Sequence, residues 1–332
     1  MQKNKVLVLG SIAFDYLMDF NENFINAISI NLEKEEYQST VTANSRTQFF
    51  GGTAGNISYN LGVLNIANVH LFGSVGMDFH SLGYEDHITQ FNNIILGIDV
   101  YDNLFTAACY IVNDIKANQM IIFHGGAQDN CKDINLKEKI KDPENYQLAI
   151  NSTQSVEAMA NFAQQLKDLK IDQIFDPGQI TPLFPKQVLL NIIYSSKILI
   201  GNAYEMEQIK KKTELLDEEL LKLVEAIITT KGAEGSKLTC KDEKENLYHI
   251  DVPTCKPVRV EDTTGAGDGY RAGLLTGLSL NMTLLDSCRL GSVIGSFVVE
   301  TQGAQTHNFG LEDVRKRFLV NFNYIPQELE NL

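Results

Sequence analysis

The sequence predicts an α/β fold built on a mostly parallel sheet covered by helices on both faces. Two observations carry this. Short apolar runs of strand length recur along the chain and read as strands buried on both sides. Amphipathic stretches with apolar residues three and four apart alternate with them. With 332 residues, 44% of them hydrophobic and 21% charged, the chain has a globular composition. That length suits one large domain over 1–332 with a small addition.

The first strand is predicted over 6–10. Lys3 and Lys5 before an apolar run to Phe14 superficially resemble a signal peptide, but Asp15 ends the run and no small-residue cleavage pattern follows. Further buried strands are predicted over 69–76, 147–150, 173–175, 197–200 and 226–230. Between them, Ile57, Leu61 and Leu64 share one helical face. Val156, Met159, Phe162, Ala163 and Leu166 form a second stripe, and Leu220, Leu223, Val224 and Ile227 a third. Residues 266–299 read as two helices broken near Asn281. Residues 34–50 and 104–123, rich in Thr, Tyr, Phe and Val, break the alternation and predict a small extra sheet, with edge strands of the main sheet as the alternative. The charged stretch 132–142 reads as a solvated loop or helix face.

Charge and cysteine usage exclude several functions. Forty-two acidic against 28 basic residues give a formal charge of −14, which argues against a nucleic-acid binder that must neutralise phosphates. A small phosphorylated ligand stays open, because backbone N–H groups bind phosphate without net positive charge. No apolar run approaches the roughly 18–20 residues of a membrane span. The five cysteines, Cys109, Cys131, Cys240, Cys255 and Cys288, are widely spaced without a C-x-x-C, which suits reduced thiols in the cytoplasm and gives no zinc framework. His80 and His87 read as chance surface placements rather than a metal site.

The chemistry concentrates in two glycine-rich segments. The first to weigh is Asp262-Thr-Thr-Gly-Ala-Gly-Asp268, followed by a long helical pattern. Gly265 and Gly267 permit backbone conformations closed to other residues, so the loop can aim several N–H groups and a helix N-terminus at one point, an anion hole. Asp268 sets a carboxylate beside that anion site, where it could take a proton from a hydroxyl attacking a γ-phosphorus; a helix cap is the alternative. The stretch is not G-x-G-x-x-G, since Tyr270 takes the last glycine position, and no G-x-x-x-x-G-K-[ST] occurs, so a dinucleotide dehydrogenase and a P-loop are disfavoured. The second segment, Phe50-Gly51-Gly52-Thr53-Ala54-Gly55-Asn56, lets a ligand approach the main chain, and Asn56 can donate to and accept from a polyol; a tight turn before a helix is the alternative.

These motifs resemble the ribokinase-like (PfkB) carbohydrate and nucleoside kinases. Asp262–Asp268 matches the family's D-T-x-G-A-G-D and Gly51–Asn56 its G-G-x-x-x-N. Asn202-Ala-Tyr-Glu205 resembles N-x-x-E, and Thr230-Lys-Gly-Ala-Glu-Gly235 resembles T-x-G-x-x-G, all in the family's order. Gly10–Asp15, Asp176-Pro-Gly-Gln179, Phe123-His-Gly-Gly-Ala127, Arg271 after Asp268, and Glu300-Thr-Gln-Gly-Ala-Gln305 are similar to the bacterial type of adenosine kinase. His124 and Gly125 depart from that type, and the region between Ser29 and Gly51 is longer. The resemblance implies a three-layer α/β/α core with a small β-sheet lid inserted from about 15–50 and 100–125. It implies phosphorylation of the adenosine 5′-hydroxyl by ATP, giving AMP and ADP in purine salvage; a sugar kinase or a kinase for another nucleoside such as inosine or guanosine is the alternative.

By the same resemblance Asp268 would be the general base and Gly265, Ala266 and Gly267 the anion hole. Asp15, Gly51, Gly52 and Asn56 would bind the ribose, with a strand-end turn the alternative for Asp15. Phe123 would lie over the base, or else in the core. Asn202, Thr230, Gly232 and Gly235 would bind ATP. Glu205 and Asn202 would order Mg²⁺ through water, or else cap a helix. Arg271 would touch the phosphates or form a salt bridge. The resemblance also allows a K⁺ ion near the anion hole, and a homodimer formed through the lid.

Overall fold

The computed structural model describes residues 5–31, 36–116, 118–242 and 246–332. Its centre is a nine-stranded sheet. The strand Lys5–Leu9 lies inside it, parallel to Asn68–Phe72 on one side and Tyr146–Asn151 on the other. Ile94–Leu96 closes the first edge, in parallel. Toward the other edge Gln173–Phe175, Ile198–Asn202 and Ala226–Thr230 continue in parallel. Ser236–Lys241 and Leu247–Val252 then finish the sheet antiparallel.

Both faces are dry, and the first strand shows why. Val6 and Val8 pack on one side with Ile57, Leu61, Ala272 and Leu275 from the helices Thr53–Leu64 and Ala266–Ser279. Leu7 and Leu9 point the other way, toward Phe162 and Leu166 of the helix Val156–Leu169. Adjacent residues of a strand face opposite sides, so a strand apolar from Val6 to Leu9 needs two apolar layers. This is the predicted α/β class.

The pair of helices predicted over 266–299 is Ala266–Ser279 and Leu284–Val298. Asn281 sits between them at φ 61°, a left-handed conformation that asparagine tolerates. The predicted strand over 69–76 is two strands, parting at Gly73. The second, Ser74–Gly76, leaves the main sheet to pair with Asp99–Tyr101. A Cβ at Gly73 would come within 2.8 Å of Ile12 Cδ1, so the chain passes close to the first loop there. The stripe through Leu220, Leu223, Val224 and Ile227 is corrected further. The helix covers only Asp217–Leu220, and Ile227 lies in the strand Ala226–Thr230. The β-branched run Ile227-Ile228-Thr229-Thr230 favours the strand over a longer helix.

The regions that broke the alternation form a separate sheet rather than edges of the main one. Its order is Gln119–His124, Ala107–Asn113, Ala13–Phe20, Ala43–Gly51. A hairpin of Ile28–Asn31 with Glu36–Ser39 is an addition. Residues 34 and 35 of the predicted small sheet, residue 117 and Lys3 lie outside the described residues. The charged stretch begins at the end of a 3₁₀ turn and carries the short helix Leu136–Lys139.

Candidate active site

The carboxyl ends of the parallel strands converge on one side of the sheet, where ligands of such folds bind. Ser11 follows the first strand, Asp176 follows Gln173–Phe175, and Asn202 and Thr230 close their own strands. The helix Ala266–Ser279 begins there too. A cavity of about 570 Å³ opens among them, lined by Asn202, Glu205, Thr230, Gly232, Gly267 and Asp268 among others. Its volume lies within the usual range for a small-molecule site.

The loop before that helix is built by Asp262. Its carboxylate accepts from the N–H groups of Thr264 (2.9 Å) and Gly303 (3.0 Å). Burial alone would raise its pKa, but these hydrogen bonds hold it below the usual value. Gly265 then takes φ 78°, and a Cβ on it would lie 2.5 Å from Ala304 Cβ, so the position requires glycine twice over. Ala266 N–H donates to Thr263 O within the turn, at 3.2 Å. The N–H groups of Gly265 and Gly267 take no partner among the described residues and are available to an anion. Ala266, predicted with them, begins the helix.

Asp268 lies partly buried on the cavity wall. Burial pushes its pKa up to about 7; Arg271 and the Asn56 hydrogen bond pull it down, while Asp176 and Asp15 push it up. Its Oδ2 accepts from Asn56 Nδ2 at 2.7 Å. A carboxyl poised near neutrality, in a cavity beside free N–H groups, is suited to general-base work. Arg271 forms a buried, bidentate salt bridge with Asp176, including an Nη2–Oδ1 bond of 2.7 Å, and its Nη1 donates to Gly267 O at 3.0 Å. Of the two predicted roles for Arg271 the structure displays the salt bridge, and the bond to Gly267 O ties it to the glycine loop.

Beyond Asp268 lie the residues expected to bind ribose. The glycine segment is stitched to the first strand's loop: Thr53 N–H donates to Ser11 Oγ (2.9 Å) and Ala54 N–H to Ser11 O (3.0 Å). Gly52 has φ 84°, and a Cβ there would lie 2.6 Å from Ser11 O. The Asp15 carboxylate lies over Gly51, where a Cβ would meet its Oδ2 at 2.2 Å. Burial, then the nearby Asp262, raise the Asp15 pKa to about 6. Asn56 is buried and bonded to Asp268 rather than open to solvent.

Phe123 is not a core residue: it is 56% exposed on the strand Gln119–His124. The register places it opposite Cys109, which in turn pairs with Asp15. Paired residues share a sheet face, so Phe123, Cys109 and Asp15 line one face, with Phe123 about 10 Å from Asp15 across two strand spacings.

Asn202 and Glu205 form a reciprocal helix cap. Asn202 Oδ1 accepts from Glu205 N–H (2.9 Å), and Glu205 Oε2 accepts from Asn202 N–H (2.7 Å). The capping alternative is therefore realised. Glu205 still lines the cavity, and burial raises its pKa. Its Oε1 takes no hydrogen bond among the described residues. A carboxylate oxygen left free there fits Mg²⁺ held through water. Among the described residues no three His, Cys, Asp or Glu side chains cluster to hold a metal alone. Mg²⁺ is commonly bound by one or two carboxylates plus substrate phosphates. Gly232 and Gly235, on the same wall as Thr230, both have positive φ (58° and 85°). His80 pairs with Glu85 at the surface, but His87 is half-buried, stacked between Phe50 and Tyr59.

The pfkB family carbohydrate kinase model matches residues 4–309. This chain belongs to the PfkB carbohydrate kinase family. It is 30% identical over 305 residues to a nucleoside kinase of Methanocaldococcus jannaschii, covering 91% of this chain and 93% of that protein. The crystal structure of the M. jannaschii nucleoside kinase, described as an archaeal member of the ribokinase family, superposes with a TM-score of 0.83 at 28% identity, over 95% of this chain and 98% of that one. The Burkholderia thailandensis nucleoside kinase in complex with inosine superposes with a TM-score of 0.80 at 28% identity, over 97% and 99%. The chain is thus a phosphotransferase of an ATP-using kinase family with the ribokinase-like fold. Sequence reasoning missed Tyr84 as a neighbour of the site, and met Gln305 only at the end of a resembling stretch.

Proposed function

We propose that this PfkB kinase transfers the γ-phosphoryl group of ATP to the 5′-hydroxyl of a nucleoside, giving the nucleoside 5′-monophosphate and ADP. The observation that carries the reading is the position of Asp268. It stands between the large cavity, sized for ATP, and the Asp15–Gly51 side, suited to a vicinal diol. Asp15 would accept both hydroxyls of the ribose 2′,3′-diol. Asp268 Oδ1, which takes no hydrogen bond among the described residues, would accept the proton of the 5′-hydroxyl as its oxygen attacks the γ-phosphorus. The N–H groups of Gly265 and Gly267 would stabilise negative charge on the transferring phosphoryl group. Glu205 and Asn202 would hold, through water, a Mg²⁺ entering with ATP, which would neutralise charge on the phosphates. Thr230, Gly232 and Gly235 would shape the rest of the ATP site. A K⁺ ion near the anion hole is proposed on the family resemblance alone.

A nucleoside is favoured over a free sugar by the sheet face beyond Asp15. There Cys109 and the exposed Phe123 and Ile121 offer an apolar surface on which a base could lie and for which a free pentose has no use. The relatives favour a nucleoside kinase of wider range over one restricted to adenosine, since the B. thailandensis enzyme is solved with inosine. Adenosine and inosine are both proposed substrates. The small sheet would act as a lid that keeps water from the phosphoryl group. Its opposite face exposes Tyr110, Met120 and Ile122, and two copies would pair through it as a homodimer, which sedimentation tests. Five free cysteines suit a cytoplasmic location, and no helix among the described residues is long and apolar enough to cross a membrane. The deciding experiment is a panel of nucleosides and free sugars with MgATP. Nucleosides are predicted to give the highest kcat/KM; phosphorylation of ribose or fructose alone would overturn the reading.

A further inference from the structure

Gln305 sits 3% exposed in the segment after the helix Leu284–Val298, outside the residues that line the cavity. Its Nε2 nevertheless donates two hydrogen bonds into the site, one to Asn56 Oδ1 (2.9 Å) and one to Tyr84 Oη (2.8 Å). Each partner passes the contact on. Asn56 Nδ2 donates to Asp268 Oδ2 at 2.7 Å, and the Tyr84 hydroxyl donates to Gly51 O at 2.7 Å. One buried amide therefore ties the base to the glycine turn beneath Asp15. The third glycine of the segment fits the same arrangement: a Cβ on Gly55 would lie 1.9 Å from Tyr84 Oη and 3.2 Å from Gln305 Nε2.

We propose that Gln305 is a positioning residue for phosphoryl transfer, setting the polarity of the Asn56 amide so that Asp268 always faces a donor. The inference rests on the kinase reading given above. An asparagine amide can turn over, exchanging its oxygen and nitrogen. With Gln305 donating to Oδ1, the turned-over form would set two N–H groups against each other and an oxygen against the Asp268 carboxylate. The Tyr84 hydroxyl, its proton committed to the Gly51 carbonyl, accepts from Gln305 and so orients that amide, and Gln305 in turn fixes the direction in which Asn56 donates. That donation opposes the effect of burial on Asp268 and leaves Oδ1 free for the substrate proton. Through Tyr84 the same amide fixes the carbonyl of Gly51, so the base and the diol-binding turn keep one spacing.

The test is Gln305→Met, which keeps length and apolar bulk but removes both donors. Without substrate, the Asp268 carboxyl, followed by ¹³C NMR against pH, should titrate about half to one unit higher than in the unaltered protein. With substrate, kcat should fall roughly tenfold or more, and its acidic limb should move to higher pH by the same amount. Tyr84→Phe, which leaves the Asn56 contact in place, should raise the nucleoside KM without moving the Asp268 titration. An unchanged titration in Gln305→Met, whatever happens to kcat, overturns the proposal, because a merely structural role would lower activity without moving it. If Gln305→Met does not fold, the unaltered protein still decides. The two Gln305 side-chain amide protons should exchange slowly, and the Asn56 amide signals should follow the Asp268 titration; fast exchange or signals indifferent to pH overturn the proposal. Absence of any phosphoryl transfer by the unaltered protein would sink the kinase reading, while the titration, which needs no turnover, still judges the network.

Discussion

Replacing Asp268 by Asn separates the base from its surroundings. The side chains are nearly the same size, and the carbonyl of the introduced amide can still accept from Asn56 Nδ2, so the network around the site persists. What disappears is a group able to take a proton. Positioned general bases contribute about 10²–10⁴ in rate, or roughly 3–5 kcal/mol of barrier, and kcat should fall by that factor with ATP affinity nearly intact. Stability should move the opposite way. The folded pKa of about 7 lies above the reference 3.8. The folded state therefore favours the protonated carboxyl. The stability this group contributes is complete below pH 3.8 and is lost as pH rises through 7. At about 1.36 kcal/mol per unit, ionisation at pH 8 costs up to roughly 4 kcal/mol, which the neutral amide never incurs. Stopped-flow or coupled ADP assays give kcat, and urea titrations at pH 4 and pH 8 give stability. The variant should match the unaltered protein near pH 4 and exceed it at pH 8. Turnover within a fewfold of normal, or lower stability at pH 8, would refute the assignment of Asp268 as a buried base.

Three further outcomes follow from the same geometry. The pH profile of kcat/KM should fall on the acidic side with a midpoint near 7, because the proton acceptor is then occupied; a flat profile from pH 5.5 to 8 would contradict this. Asp15→Asn should raise the nucleoside KM by about ten- to a hundredfold while leaving the ATP KM nearly unchanged, since a hydrogen bond to a charged group contributes about 1.5–3 kcal/mol; equal changes in both constants would count against a diol-binding role. Arg271→Met strands Asp176, which is only 2% exposed, and should destabilise the protein by about 3–5 kcal/mol, read as a lower urea midpoint at pH 7.

The legible parts of the sequence were those with local physical signatures. Val6–Leu9 announced a strand covered on both faces because no polar residue interrupts it. The loop before Asp268 announced itself through Gly265, whose positive φ favours glycine, whereas Gly267 lies in the helix at an ordinary angle. Ile227 was misassigned because a short apolar run satisfies helical and strand spacing at once, and its place was settled by pairing with Leu199 and Thr239. Whether Arg271 meets phosphate or Asp176, and whether Asn202 and Glu205 cap a helix, depended on side chains distant in sequence or on local geometry that residue types leave open. Tyr84 carried no local signal, and Gln305 only a place in a resembling stretch with no role attached. Their role comes from contacts spanning more than two hundred residues, such as Tyr84 with Gln305, which no window on the chain displays.

The central claim is transfer to the 5′-hydroxyl of a nucleoside, and the identity of the product tests it most directly. Purified protein incubated with MgATP and inosine, or with adenosine, should yield a phosphomonoester whose ³¹P signal couples to the two 5′-methylene protons. A phosphate on the 2′ or 3′ position, or phosphorylation of free ribose while both nucleosides remain unchanged, would contradict the account.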